Sequence, residues 1–273
     1  MAVIAISRQV AALGDEVATE LAKKLGYRFF GRKEIEQKII ELGFPKEKME
    51  KYDEKKPGFF SSLVRDRDEY LDYLQTAVLE AASTGNCILI GRGAFAILEN
   101  VPNVLSVRFV AKDTIRVKRL MKEFDWDEKK ALKRVEESAT NRQGFHKSFF
   151  NINADDPAHF DMVLNTGVFN EETAADMLCQ MTKLLITEER EAEGSTKIDN
   201  LLKGQKLANV LIYEKRININ FLRVVIEGDK IILHGIADST VLVEKAKSVV
   251  AELTNEKNIE SLISIVKDFK AYP

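Results

Sequence analysis

The sequence predicts an α/β protein in two parts. The larger part is a mostly parallel sheet with helices on both faces, and a small α+β unit follows it. Three observations predict this class. Short apolar runs, typical of strands buried on both faces, alternate with segments whose apolar residues recur at helical spacing. The alternation stops at residues 187–197, which are polar and charged. Beyond them, two strand-like runs flank a hairpin signal, Glu-Gly-Asp at 227–229.

The elements of the first part follow from this pattern in order. Residues 3–6 form a continuous apolar run, and residues 15–25 carry a helical stripe that Gly26 ends, as a left-handed C-cap. The same criteria predict further strands at 27–30, 87–90, 104–110 and 160–164. They predict further helices at 33–42, 66–83, 113–122 with Asp113 as the N-cap, 127–141 and 171–186.

The C-terminal part has a different order of elements. Two strands are expected at 221–226 and 230–236, then a helix at 240–253 and a last strand at 259–266. The polar segment 187–197 is the predicted linker. We therefore expect two domains, residues 1–190 and residues 197–273, and the second is close to the lower size limit for independent folding.

The composition indicates a globular protein without a strong charge bias. The 273 residues are 45% apolar and 31% charged, and 41 Lys and Arg against 43 Asp and Glu give a formal net charge of −2. This balance predicts no nucleic-acid partner. Two cysteines are too few for a disulfide framework or a zinc site, and no metal site is predicted. The first apolar run is too short for a signal peptide or a membrane span, so we expect a cytoplasmic protein without a transmembrane segment.

The strand, turn and helix at residues 3–17 are placed as a phosphate-binding loop would be. The N–H groups and the dipole at a helix start favour an anion. The candidate residues are Ala11, Ala12, Leu13, Gly14, Asp15 and Glu16. This loop has one glycine and no lysine, and its two acids would repel a phosphate. An ordinary strand-to-helix turn is the competing interpretation.

A second candidate site directly follows the strand at 87–90. Here Arg92 stands between Gly91 and Gly93. Ligands of open parallel sheets gather at the carboxyl ends of the strands. An arginine there is suited to a bidentate phosphate contact. The alternative is a turn whose arginine pairs with a surface carboxylate.

The region 112–147 is rich in charge, with eleven basic and seven acidic residues. Arg116 and Arg119 are three residues apart and share a helical face, and Arg142 could converge on the same anion. A basic flap that closes over phosphates would exclude water during phosphoryl transfer. An ordinary solvated helix face is the other interpretation.

Three weaker candidates each have a structural alternative. Phe59 and Phe60 could stack on a base or anchor the core. Asp155 and Asp156 resemble a metal-binding pair but also suit a turn. His146 could be a general acid, a phosphate ligand or a surface histidine.

Together these segments resemble the cytidylate kinase-like family of P-loop proteins. The similar stretches are residues 6–8 with the turn and helix after them, 25–27, 91–98, 109–119, 142–150 and 160–166. The likeness extends over about residues 1–186 and is spread over several motifs.

The resemblance implies a sheet like that of nucleoside monophosphate kinases, with ATP and Mg²⁺ at the loop and a nucleoside monophosphate opposite. Carried over by position, residues 11–16 would hold the donor phosphates and Arg92 would face the acceptor phosphate. Arg116, Arg119 and Arg142 would belong to the lid.

The chain departs from the family pattern in the loop. Family loops are rich in Gly and Ser, whereas Ala11, Ala12 and Leu13 stand here. Asp15 occupies a position where a basic or small polar residue is usual, and an acidic residue common before the lid arginine is absent around 139–140. A missing charge at the phosphates can cost several kcal/mol in the transition state.

Residues 197–273 resemble a BON domain. The similarity lies in residues 224–238 and the helix after them, with Gly228 and Gly235 at the turn positions of that family. Such modules bind phospholipid or other macromolecules, which implies a lipid or protein partner.

Two hypotheses of function follow. In the first, the protein binds a nucleotide or another phosphorylated small molecule and transfers a phosphoryl group from ATP to a nucleoside monophosphate. In the second, the kinase-like domain is an inactive sensor or scaffold, and the C-terminal domain contacts a lipid or protein partner.

Overall fold

The computed structural model describes residues 1–49, 52 and 64–266. Its contacts divide the chain into two compact units, residues 1–195 and 196–273. Phe59 and Phe60, the candidate base-stacking pair, lie outside the described residues.

The first unit is built on a five-stranded parallel sheet. Its strands are β1 Val3–Arg8, β2 Arg28–Phe30, β3 Cys87–Ile90, β4 Val104–Val110 and β5 Met162–Asn165. Their order is β2-β3-β1-β4-β5, and Ile6 pairs with Ile90 on one side and with Val107 on the other. Because β1 is central, the loop after it opens in the middle of the carboxyl edge, where open parallel sheets bind ligands.

Helices connect these strands and cover them. Their bounds are α1 Gly14–Leu25, α2 Arg32–Glu41, α3 Lys46–Met49, α4 Val64–Ser83, α5 Ala94–Ile97, α6 Asp113–Phe124, α7 Glu128–Phe150, α8 Glu171–Leu185 and α9 Glu188–Asn209. A 3₁₀ turn occupies Pro157–His159. The strands predicted at 87–90 and 104–110 are confirmed as β3 and β4.

Both faces of the sheet are covered. Ile4 and Ile6 pack in one core with residues of α1 and α8. Val3 and Ala5 point to the opposite face because strand side chains alternate, and they are also fully buried. Helices α4 and α5 contact β3 and β1. The predicted arrangement of a parallel sheet between helical layers is confirmed.

Two predicted helix boundaries are wrong. Lys112, not Asp113, is the N-cap of α6, and Asp113 is instead its first residue. Helix α7 begins as predicted after Asp127, whose side chain accepts a hydrogen bond from the Lys130 N–H, but it continues past residue 141 to Phe150. The extension is stable because its last two turns bury an aromatic face that includes Phe145.

The predicted linker at 187–197 contains the boundary between the two units, after residue 195, and helix α9 runs through it. The segment is polar, but hydrogen bonds fix it to the first unit: the Arg190 Nε donates to the Pro102 carbonyl over 2.8 Å. Gly194 allows a close approach, because a Cβ there would lie 2.1 Å from the Asn103 Oδ1. The sequence pattern misses this helix because it depends on these tertiary contacts.

The second unit contains a three-stranded mixed sheet. Its elements are a π-helical turn Val210–Glu214, β6 Asn220–Glu227, β7 Lys230–Ala237, α10 Thr240–Thr254 and β8 Ile259–Ile265. The sheet order is β6-β7-β8, with β6 antiparallel and β8 parallel to β7. Gly228 turns the predicted hairpin at φ +63°. Leu211, Leu233 and Val250 belong to the core of this unit.

Within the ranges that the structure describes, none of the helices combines the length and the apolar content that crossing a bilayer requires.

Candidate functional site

The loop between β1 and α1 has a backbone conformation that normally favours glycine. Ala11 has φ +56° and Leu13 has φ +55°, both in the left-handed region. For a residue with a side chain, this region costs about 1–2 kcal/mol. Strain of this kind persists where the surrounding structure enforces it, often at ligand sites. The loop therefore has a strained backbone at Ala11 and Leu13, where glycine would adopt the same conformation without strain.

Gly14, the first residue of α1, is required by close packing. A Cβ at this position would lie 2.7 Å from the Arg8 Cγ. The Arg8 Nε lies 3.6 Å from the Asp15 carboxylate, which is itself 63% exposed. The acid at the helix start is thus partly neutralised by Arg8 and faces solvent. The repulsion that the Asp15 carboxylate would exert on a bound phosphate is therefore weaker than the sequence alone suggests.

Two arginines of the region 112–147 anchor the loop by its backbone. The Arg119 Nη1 donates to the Ala11 carbonyl over 3.0 Å, and its Nη2 donates to the Thr166 carbonyl over 2.6 Å. The Arg142 Nη1 donates to the Arg8 carbonyl over 2.8 Å. Arg119 is on α6 and Arg142 is on α7, so these two helices, which we call the lid, are bonded directly to the loop.

A cavity of about 330 Å³, which we call the loop cavity, opens between the loop and the lid. The residues that line it come from the loop, the first turn of α1, the end of α6 and one face of α7: Arg8, Gln9, Val10, Ala11, Ala12, Leu13, Gly14, Asp15, Glu16, Leu120, Glu123, Phe124, Trp126, Arg134 and Arg142. All six loop residues predicted from the sequence are among them. The first N–H groups of a helix have no acceptor within the helix, so the start of α1 can offer donors to this cavity.

Several residues of the loop cavity are absent from the sequence prediction. Arg134 is eight residues before Arg142 on α7, a spacing that places both on one helical face and that could have indicated it. Phe124 and Trp126 stack with ring centroids 4.8 Å apart, and the Lys130 Nζ lies 4.5 Å from the Trp126 ring centroid. No sequence motif indicates this aromatic pair, because only the fold brings it to the loop.

The other two predicted arginines lie elsewhere. Arg116 is buried, its Nε donates to the Ala111 carbonyl over 3.0 Å, and its Nη2 donates to the Asp113 carboxylate over 2.6 Å. Arg92 has φ +53° and is 2% exposed. Arg119 and Arg142 therefore bond to the loop, whereas Arg116 and Arg92 make their hydrogen bonds to other groups.

Arg92 is held within the protein at the end of β3. Its Nη1 donates to the Tyr52 carbonyl over 3.0 Å, and its Nη2 donates to Glu36. The Tyr52 and Tyr70 rings stack beside it with centroids 4.5 Å apart. The geometry thus agrees with the alternative interpretation, in which Arg92 lies in a turn and pairs with a carboxylate. That carboxylate belongs to Glu36, whose side chain is only 24% exposed.

Comparisons with known proteins agree with this geometry. A family model described as the cytidylate kinase-like family matches residues 3–168, more than half of the sequence. The chain belongs to the cytidylate kinase-like family. A cytidylate kinase of Methanocaldococcus jannaschii is 30% identical over 124 residues, which are 42% of this chain and 70% of that protein.

A solved structure shows the same fold. An uncharacterized protein from Eubacterium ventriosum matches with a TM-score of 0.54 and 22% identity, over 67% of this chain and 98% of that one. A shikimate kinase from Bacteroides thetaiotaomicron matches over the same fractions, with a TM-score of 0.42 and 15% identity. The family match ends before the second unit, for which the BON resemblance stays a prediction.

The loop cavity contains carboxylates of the kind that bind Mg²⁺. Asp15, Glu16 and Glu123 line the loop cavity and offer the oxygen ligands that Mg²⁺ prefers. Among the described residues, no group of three or more His, Cys, Asp or Glu forms a metal cage. A cage is not needed, because Mg²⁺ is usually held by one or two carboxylates together with substrate phosphates. The donor set fits Mg²⁺ carried by a nucleotide.

The remaining candidates have structural partners. The His146 Nδ1 lies 2.7 Å from the Arg142 carbonyl, and because a carbonyl only accepts, Nδ1 carries a proton. His146 is buried among aromatic rings, so it is not a surface histidine. Asp156 caps the 3₁₀ turn by accepting from the Ala158 N–H over 2.9 Å. Asp155 pairs with Arg108 instead, so the two neighbouring acids do not act as a pair.

Proposed function

We propose that the cytidylate kinase-like unit binds ATP with Mg²⁺ in the loop cavity and transfers the terminal phosphoryl group to a nucleoside monophosphate. The observation that carries this proposal is the loop itself. It keeps the strained backbone at Ala11 and Leu13, and the lid arginines hold its carbonyls. This conformation costs about 1–2 kcal/mol at each of the two residues, and strain of this kind is often found at ligand sites, which supports a ligand at this loop.

In this proposal, catalysis is positioning and charge stabilisation. Phosphoryl transfer proceeds through a loose transition state whose charge is spread over the phosphoryl oxygens. The start of α1 would offer N–H donors to the donor phosphates, and Arg8, Arg134 and Arg142 supply positive charge around the loop cavity. They would stand in for the lysine that the loop lacks. Arg119 acts indirectly, because its guanidinium fixes the loop backbone.

Mg²⁺, when bound with the nucleotide, would neutralise charge on the donor phosphates. Glu16 and Glu123 are the residues that would hold it, directly or through water. On the acceptor side, the family resemblance makes Arg92 one candidate for the acceptor phosphate, because it follows the β3 strand at the carboxyl edge of the sheet. The phosphate would have to replace the Glu36 carboxylate.

The experiment uses Trp126, the single tryptophan of the chain, which lines the loop cavity. Titration of the full chain with ATP and Mg²⁺ is expected to change the fluorescence of Trp126 with a micromolar midpoint. Addition of CMP is then expected to produce ADP and CDP. No change in fluorescence and no thermal shift at millimolar ATP would contradict the proposed binding.

A pair of variants on α7 controls this measurement. Arg134→Gln removes a charge that lines the loop cavity, and it is expected to weaken ATP binding about tenfold or more. Lys133→Gln changes the neighbouring residue, whose side chain is 74% exposed and pairs with Glu137, and it is expected to leave ATP binding unchanged. Equal effects of the two variants would argue against phosphates in this cavity.

The second candidate function is an inactive sensor that binds ATP without turnover. The observation that favours it is the composition of the loop cavity, where three acids offset three arginines and the loop contributes no lysine. A fluorescence response to ATP without ADP formation, for every nucleoside monophosphate tested, would favour this function.

We also propose that residues 197–273 act as a BON-like module, which sedimentation of the full chain with anionic phospholipid vesicles would test.

A further inference from the structure

We propose that Arg108 and Ser7 form an anion subsite for the phosphate of the acceptor, and that Asp155 is a resident counter-ion which this phosphate displaces. The inference rests on the proposed function and adds to it Arg108, which lies outside the family motifs found in the sequence, together with Ser7, which lies within the motif at residues 6–8. Arg108 is on β4, Ser7 is on β1, and Asp155 is in the segment after α7.

The first step is the position of the pair. Ser7 and Arg108 are direct neighbours in the register of β1 and β4. The adjacent residues Ile6 and Val107 belong to the core under α1 and α8. Because strand side chains alternate, Ser7 and Arg108 point to the opposite face of the sheet. They stand near the carboxyl ends of two central strands, where ligands of open parallel sheets bind.

The second step is the distance from the donor site. The residue after Ser7 is Arg8, which lines the loop cavity and lies over the start of α1. Consecutive Cα atoms are about 3.8 Å apart, so the donor cavity and the proposed subsite are separated by one residue of β1. The proposed subsite and the loop cavity therefore adjoin along β1.

The third step is burial. Arg108 is 7% exposed, its Nη1 donates to the Ser7 Oγ over 3.0 Å, and the Phe160 ring lies 5.6 Å from its guanidinium carbon. Burial lowers the pKa of the Arg108 guanidinium, and Asp155 opposes this effect. A buried guanidinium is costly without an anion beside it, so this position requires a negative partner.

The fourth step is the nature of that partner. The Arg108 Nη2 donates to the Asp155 carboxylate, which is 62% exposed and lies in an irregular segment. The Asp155 carboxylate is already largely hydrated, so an incoming anion that supplies the same charge to Arg108 can replace it at small cost. Arg92 differs, because Glu36 is only 24% exposed and Tyr52 adds a second hydrogen bond. Of these two arginines, Arg108 is thus the one that more readily exchanges its counter-ion.

The experiment measures binding of CMP to the full chain by calorimetry, with cytidine as the probe that lacks the phosphate. Asp155→Asn removes the competing carboxylate and is expected to tighten CMP binding about two- to fivefold. Arg108→Gln is expected to weaken it about 10- to 100-fold. Cytidine binding is expected to be the same in the wild type and both variants, and inorganic phosphate is expected to compete with CMP.

The matched control is Asp156→Asn, which alters the neighbouring acid but keeps a side chain able to cap the 3₁₀ turn. It is expected to leave CMP affinity unchanged. If Asp155→Asn leaves CMP affinity unchanged or weakens it, the inference is wrong, and this variant decides the question even where Arg108→Gln fails to fold.

The Trp126 response to ATP separates the two proposals. If ATP and CMP bind but neither variant alters CMP affinity, only the subsite is refuted. If neither nucleotide binds the wild type, both proposals fail.

Discussion

The loop cavity and the neighbouring strand ends use arginine in different ways. At the loop cavity, Arg119 and Arg142 donate to backbone carbonyls. On the two strands that flank β1, Arg92, after β3, and Arg108, on β4, pair with carboxylates, Glu36 and Asp155. In the first region, arginine fixes the shape of a backbone. In the second, its charge is balanced by a carboxylate. The comparison shows that a predicted cluster of arginines can contain residues with quite different roles.

The largest effect is expected from Arg119→Gln, which tests the anchoring role. The change removes hydrogen bonds to the carbonyls of Ala11 and Thr166, and it should lower the free energy of unfolding by about 3 kcal/mol. The ATP response of Trp126 should be lost with it. Urea unfolding followed by circular dichroism gives the first value. Lys118→Gln, at an exposed position on the same helix, should change neither quantity.

The next effect concerns the acceptor side. Glu36→Gln leaves the buried Arg92 guanidinium without its carboxylate, and it should lower the free energy of unfolding by about 2 kcal/mol. Asp155→Asn should cost less, because its carboxylate is mostly solvated. Urea unfolding of both variants tests the ranking. A larger loss in Asp155→Asn would mean that the Asp155 pair is the structural one, contrary to the proposed exchange.

Gly14→Ala tests how closely the loop is packed. The new Cβ would lie 2.7 Å from the Arg8 side chain, so Arg8 has to move, at a cost of about 1–3 kcal/mol. ATP binding should weaken as well, because Arg8 lines the loop cavity. Gly26→Ala is the matched control at the other end of α1. There φ is +66° and nothing lies within 4 Å, so it should cost about 1 kcal/mol and leave ATP binding intact.

The smallest effect is expected from Ala11→Gly, which tests the backbone strain. Relief of the left-handed conformation should outweigh the added entropy of the unfolded chain, and the free energy of unfolding should rise by about 0.5 kcal/mol. Thermal unfolding of the wild type and the variant measures the change. A loss of more than about 1 kcal/mol would show that the loop is not strained at this residue.

Much of the fold could be predicted because its signals are local. Strands such as β3 and β4 are continuous apolar runs, and Gly26 marks the end of α1 by a conformation that glycine favours. Helix α9 could not be predicted, because a polar helix carries no apolar stripe and is held by contacts at Pro102 and Asn103. The sequence predicts the loop residues 11–16, which line the loop cavity, but misses Arg134 and Trp126, which the fold brings to the same cavity.

The sequence by itself determined the alternation of strands and helices, the position of the loop between the first strand and the first helix, and the family likeness of the first unit. Apolar periodicity and turn residues are local properties, and they survive without knowledge of the fold. Only the tertiary structure decided what each arginine does. The partners of Arg92, Arg108 and Arg119 lie between 22 and 108 residues away along the chain. A guanidinium's role depends on whether a carbonyl or a carboxylate meets it, and no pattern of neighbouring residues records that.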